Sequence, residues 1–200
     1  MEERKTQEMT PPKILAFAGS TRTDSFNKKL IKIAATGARE AGADVTIIDL
    51  RDYPMPLYDE DLEKKEGLPS STCKLKELLL SHHGFLISSP EYNSSISGVL
   101  KNTIDWTSRQ GDDESPLICF KDKVAGLMSA SPGGLGGLRG LVHVRAILEN
   151  MGVIVIPNQS AISKAHDAFN LDGTMKDQKQ EQQVKKIGAN LSQMLLKLNN

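Results

Sequence analysis

Five short apolar runs punctuate the chain, and a helical pattern follows each of them. The runs are Lys13 to Ala18, Val45 to Leu50, Gly84 to Ser89, Lys123 to Ala130 and Val153 to Ile156. None shows clean polar alternation, as expected of strands covered on both faces. Between them, Leu30, Ile31, Ala34, Ala35 and Ala38, then Leu75, Leu78 and Leu79, then Val99, Leu100 and Ile104 recur at helical spacing. Two more helices are expected at about Leu138 to Glu149 and Asp177 to Leu198. Gly42 ends the first helix, while Pro90 and Pro157 stop the third and fifth strands. Such alternation implies an α/β, doubly wound fold: a five-stranded parallel sheet with right-handed crossovers and helices on both faces.

The 200 residues suit one ordinary domain. Residues 13–200 are read as that domain and residues 1–12, ending in Pro11-Pro12, as a flexible N-terminal tail. The polar segment from Arg51 to about Ser70 is long for a connection, so it is either a functional loop or a surface excursion. Acidic and basic residues balance at 25 each, which argues against nucleic acid or an anionic membrane as main partner. No apolar run approaches the roughly 20 residues of a membrane span, and the first 13 residues lack the apolar core of a signal peptide. A cytoplasmic location is expected. Cys73 and Cys119 lack metal-ligand spacing and read as small fillers, and His82, His83, His143 and His166 have no motif company.

In open α/β sheets ligands collect at the carboxyl ends of the strands. Three loops of unusual composition leave strand ends there, at residues 19–27, 90–97 and 131–137. The first, Gly19-Ser20-Thr21-Arg22-Thr23-Asp24-Ser25-Phe26-Asn27, joins a strand to a helix start, where unsatisfied N–H groups favour an anion. It has neither the Gly-Lys-Ser/Thr ending of a P-loop nor the three glycines of a dinucleotide fingerprint. Its hydroxyls, Arg22 and Asn27 suit a terminal monophosphate instead. The plainer alternative makes Ser25 or Asp24 only a helix cap. In the second loop, Pro90 caps the strand and the next residues can offer N–H groups to the polar edge of a flat heterocycle. Trp106 reads as packed against core or a partner subunit. The third loop, Ser131 to Gly140, fails the dinucleotide pattern because Arg139 occupies its third glycine position, so its glycines are read as letting backbone approach a ring.

Gly19-Ser20-x-Arg22-x-x-Ser25-x-Asn27, Pro90-Glu91-Tyr92-Asn93 and Leu100-Lys101-Asn102-x-Ile104-Asp105-Trp106, in that order, resemble the NADPH-dependent FMN reductase family. The resemblance spans about residues 13–160, with Thr103 standing where that family usually has alanine. It implies a flavodoxin-like sheet of order 2-1-3-4-5 and an FMN cofactor. The FMN phosphate would lie on Ser20, Arg22, Ser25 and Asn27, with Phe26 in the same turn. The ring would meet Pro90, Glu91, Tyr92 and Asn93, mostly through backbone, with Ser131, Gly133 and Gly134 closing its other side. The implied activity is ping-pong hydride transfer from NADPH or NADH to the flavin, then to a quinone, free flavin, azo compound or similar acceptor. No side chain is then needed as nucleophile or general base, and no metal. The family also implies a homodimer or homotetramer, with helices near Gly98 to Arg109 between subunits. Two other readings are a flavodoxin-type electron carrier, which the neutral charge disfavours, and a phosphate-binding module that never sees flavin.

Overall fold

The computed structural model describes residues 10–111 and 114–198, so most of the expected tail lies outside the described residues. Among the described residues Thr10 and Pro11 are exposed, and Pro12 is buried, its carbonyl accepting from the Asp44 N–H. Five strands form one sheet: β1 (Lys13–Ala18), β2 (Asp44–Ile48), β3 (Gly84–Ser88), β6 (Val124–Ala130) and β7 (Ile154–Ile162). The order is β2-β1-β3-β6-β7 with every pair parallel, the flavodoxin-like 2-1-3-4-5 order counted within the sheet.

Alternate residues of these strands feed two cores. Leu15, Phe17, Phe85, Ile87, Ala125 and Leu127 point to the side covered by α3 (Ser70–Ser81), α4 (Gly98–Thr107) and α5 (Leu138–Asn150). Ile14, Ala16, Leu86, Val124 and Met128 point to the side covered by α1 (Phe26–Glu40) and α7 (Gln178–Leu198). Each fully buried Leu or Ile there stabilises the fold by about 1.5–3 kcal/mol. Helices α1 and α7 touch backbone to backbone. A Cβ on Gly37 would overlap the Lys185 carbonyl, and one on Gly188 the Ala34 carbonyl, so neither position accepts a side chain without parting the helices.

Four features depart from the sequence reading. Strand β7 does not stop at Pro157 but runs on to Ile162. Ala125 pairs with Val155 and Leu127 with Gln159, so Ile156 to Asn158 bulge out of the ladder. An edge strand tolerates this proline, and Arg145 donates to the Val155 and Ile156 carbonyls at 3.2 and 3.0 Å. Residues 90–97 are not an open row of N–H groups. They fold into a hairpin of β4 (Glu91–Tyr92) and β5 (Ser95–Ile96), turned by Asn93 and Ser94, both at positive φ. The 51–70 segment contains α2 (Glu60–Glu66), and α6 (Ala165–Ala168) precedes α7. Cys119 is buried and its thiol pushed up to about 11 by that burial, whereas Cys73 is exposed rather than a filler.

The 51–59 stretch is pinned to α4. The Pro56 carbonyl accepts from Asn102 Nδ2 and Trp106 Nε1, both at 2.8 Å, and the Tyr58 N–H donates to Asn102 Oδ1. Trp106 is fully buried against the edge of the Tyr58 ring, so it serves this chain's core. Among the described residues no helix is long and apolar enough to cross a membrane.

Candidate functional site

Loops from the carboxyl ends of β1, β3 and β6 enclose a cleft of about 50 Å³. Ser20, Arg22, Ser25, Phe26 and Asn27 line one side, Pro90, Glu91 and Tyr92 a second, and Ala130, Ser131 and Pro132 a third. Of the residues expected at a flavin, Asn93, Gly133 and Gly134 fall outside this lining. Ala130 and Pro132 belong to it without any signal in the sequence that marks them. The volume suits a phosphate-sized group or a few waters, so a flat ring would have to lie across the open mouth.

The first loop is arranged for an anion. Ser25 occupies the N-cap position of α1 in extended backbone (φ −80°, ψ 126°), yet its side chain makes no capping bond. No acidic residue occupies the first helical turn. The start of α1 therefore keeps its N–H groups and partial positive charge for something else. The Arg22 side chain lines the cleft and makes no hydrogen bond or ion pair among the described residues, while its backbone N–H donates to Ser20 Oγ at 3.3 Å. A second arginine, Arg51, braces the loop from behind by donating to Thr23 Oγ1 at 3.2 Å and to the Thr21 carbonyl.

Asn27 has another task. Its Oδ1 accepts from Ser88 Oγ at 2.8 Å and the Ala130 N–H at 3.0 Å, and its Nδ2 donates to the Ala130 carbonyl at 2.9 Å. Only one Nδ2 hydrogen is left for a ligand, so Asn27 chiefly ties α1 to the ends of β3 and β6. Ser97 makes a similar tie, donating to the Gly19 carbonyl at 2.6 Å while capping α4 at Leu100 N. Ser129 Oγ donates to the Gly136 carbonyl at 2.7 Å.

The glycines of the third loop divide into two kinds. Gly136 and Gly137 have φ of 63° and 93°, and a Cβ on either would collide with Ala161 or Ser129. Those two are demanded by the protein itself. Gly133 and Gly134 have negative or extended φ; a Cβ on Gly134 would meet nothing within 4 Å and one on Gly133 only Ser131 Oγ at 3.8 Å, which leaves a strip that a ring could approach.

The ionisable side chains lining the cleft are Arg22, Glu91 and Tyr92. Burial pushes the Glu91 carboxyl up, but bonds from the Arg139 guanidinium and the Gly140 and Arg139 N–H groups more than offset it and hold it below the usual carboxylate range. The histidines lie elsewhere: His82 bonds the Leu78 carbonyl and Thr46, His83 accepts from the Lys13 N–H at the opposite end of the sheet, and His166 pairs with Asp167. Among the described residues no cluster of three or more His, Cys, Asp or Glu could hold a metal. A much larger trough, about 880 Å³, runs along α1 and β2. Basic Lys28, Lys29, Lys32, Arg51 and Lys185 are matched there by Asp24, Asp49, Asp52, Asp172 and Glu181, so it offers a phosphate no net charge.

The sequence profile of the NADPH-dependent FMN reductases matches residues 12–167, across all three loops. The chain belongs to the NADPH-dependent FMN reductase family. It is therefore an oxidoreductase of that family, whose cofactors are FMN and a reduced nicotinamide. It is 35% identical to a probable NADPH:quinone oxidoreductase of rice (Oryza sativa subsp. japonica), an alignment covering 94% of this chain and 93% of the relative. With an NAD(P)H-dependent FMN reductase of Pseudomonas aeruginosa the identity is 34%, covering 84% and 86%. Among solved structures, the flavoenzyme FerB, an NAD(P)H:(acceptor) oxidoreductase of Paracoccus denitrificans, superposes with a TM-score of 0.78 at 26% identity, covering 93% of this chain and 98% of that one. The residues of this FMN reductase fit the cofactor on their own chemistry. An uncapped helix start and an arginine side chain without a partner among the described residues line one cleft, and the Gly133-Gly134 strip follows the Ser131-Pro132 edge of it.

Proposed function

We propose that residues 13–200 form one flavin-binding domain that takes FMN by its phosphate at the start of α1. Ser20, Arg22 and Ser25 bind that phosphate together with the first N–H groups of the helix, and Asn27 keeps the helix start in place. Phe26 closes the floor of the cleft. The Pro90 to Asn93 segment and the strip Ser131, Gly133 and Gly134 flank the ring system. When bound, the flavin supplies two-electron chemistry, taking a hydride from the reduced nicotinamide and passing the electrons to an acceptor.

Everything else is binding and orientation. Among the described residues lining the cleft none is His, Cys, Asp or Lys, and in this reading no side chain takes the part of nucleophile or general base. The mouth of the cleft is open, so donor and acceptor would take the same place in turn, in a ping-pong order. A quinone, a free flavin or an azo compound suits that flat, open face, and either NADPH or NADH can serve as donor. The protein acts in the cytoplasm as a homodimer or homotetramer.

One observation carries this reading: the open start of α1 stands beside the Arg22 side chain, which has no partner among the described residues. The flavin-loaded protein, mixed with NADPH without oxygen, should lose its visible flavin absorption and regain it when a quinone is added. Absorption that survives excess NADPH and NADH contradicts the assignment.

A further inference from the structure

Glu91 stands among the residues that flank the cleft, yet none of its oxygen lone pairs is left for a ligand. Oε1 accepts from Arg139 Nε at 2.8 Å and Nη2 at 2.5 Å, and Oε2 accepts from the backbone N–H groups of Arg139 at 3.0 Å and Gly140 at 3.2 Å. Four donors saturate an ionised carboxylate. The side chain is 8% exposed. Helix α5 needs this bond, because its own N-cap is Gly137, which has no side chain to cap with. Glu91 therefore caps α5 from a different segment, the β4–β5 hairpin. Gly140 makes the approach possible: a Cβ there would stand 3.2 Å from the Ser95 carbonyl and 3.4 Å from Glu91 Cβ.

The hairpin has few other attachments. Its ends are fixed by the Ser89 N–H on the Met128 carbonyl and by Ser97 on the Gly19 carbonyl. Between them, Ser95 Oγ with His143 Nδ1, at 2.9 Å, is the one other side-chain hydrogen bond from the hairpin to α5 among the described residues, and Ile96 is buried in the core that also holds Leu141 and Val144. Pro90 to Tyr92 form one wall of the cleft, and the loop leading into α5 forms another.

We infer that Glu91 is a positioning residue that clasps the hairpin wall of the cleft to the glycine-rich wall and fixes the gap in which the flavin binds. The inference rests on the flavin reading above. Without the clasp the hairpin samples open positions, and apparent FMN affinity falls by the fraction of molecules whose walls are correctly placed. The backbone cap matters more than the Arg139 ion pair, since Arg139 is 57% exposed and screened by solvent.

The test titrates FMN into apo-protein, reading quenching of flavin fluorescence well below the unfolding temperature, which is recorded on the same samples. Glu91→Ala should raise the FMN Kd about tenfold, the size of losing a helix cap. Glu91→Gln and Arg139→Met each preserve an oxygen on the Arg139 and Gly140 N–H groups, and should weaken binding only about threefold. That order separates a clasp from general destabilisation, which would leave the Kd of the folded protein unchanged. A folded Glu91→Ala that binds FMN as wild type does overturns the inference. If that variant does not fold, wild-type affinity in Glu91→Gln overturns it equally. Wild-type protein that quenches no FMN overturns the flavin reading, and the clasp with it.

Discussion

Helices α1 and α5 both start at the carboxyl edge of the sheet; α1 starts in the cleft, and α5 starts behind the hairpin that walls it. The start of α5 is closed: Glu91 reaches over from the hairpin and takes two of its N–H groups and the Arg139 side chain. The start of α1 is open: Ser25 has the backbone conformation of a cap without the bond, and Asp24 beside it is exposed. A terminus whose charge is answered within the protein is a joint. One whose charge is left unanswered, beside a cation that is also unpaired, is a binding site. The chain builds both from the same element, and the difference lies in where the nearest carboxylate sits.

Filling the open end should break the contrast most visibly. Ser25→Asp gives α1 a charged cap, so the apo-protein should gain about 1 kcal/mol, a rise of roughly 2–4 °C in melting temperature for a chain of this size. The same carboxylate occupies the anion position, and FMN affinity should fall by roughly 30–100-fold, as for losing a charge-assisted bond of 2–3 kcal/mol. Calorimetry and flavin fluorescence on one sample read both signs, and a variant that gains stability and still binds FMN normally breaks the comparison. At a closed end the two quantities move together. Ser97→Ala uncaps α4 and frees the Gly19 carbonyl, so the melting temperature should drop by an amount worth about 1–2 kcal/mol, with no compensating gain anywhere.

The smallest effect is in pH. Because Glu91 is held below its ordinary carboxylate range in the folded protein, its contribution is complete above that range and is lost as pH falls through the depressed value. Thermal unfolding of wild type and Glu91→Gln should therefore differ most near neutrality and converge in acid. Curves that stay parallel down to that range would show that the carboxylate charge is not what closes α5.

Much of this was legible in the sequence because it was written in periodicity. The five apolar runs and the helices between them gave the sheet, and the three odd loops gave the cleft. What escaped lacks a periodic signature. The β4 and β5 strands have two residues each, too few to show alternation. Helix α2 (Glu60–Glu66) buries no residue, so it has no apolar face to read. Pro157 reads as a stop unless one knows that its strand is an edge. The structural ties of Asn27 and Glu91 also lack a signal in the sequence. Both stand in loops that face the ligand, but their partners, Ala130 and Gly140, lie 103 and 49 residues away and are visible only once the chain is folded. Gly37 and Gly188 were silent for the same reason, since each is explained by the other helix's backbone.

The central claim is that the open start of α1 binds a phosphate. Riboflavin is FMN without that group, so the ratio of their affinities isolates it. Wild-type protein should bind FMN more tightly than riboflavin by about 100-fold, and Arg22→Ala should remove roughly tenfold or more of that ratio. The melting temperature of the apo-protein should not change, because the Arg22 side chain has no partner among the described residues to lose. Equal affinity for the two flavins in the wild-type protein contradicts the account.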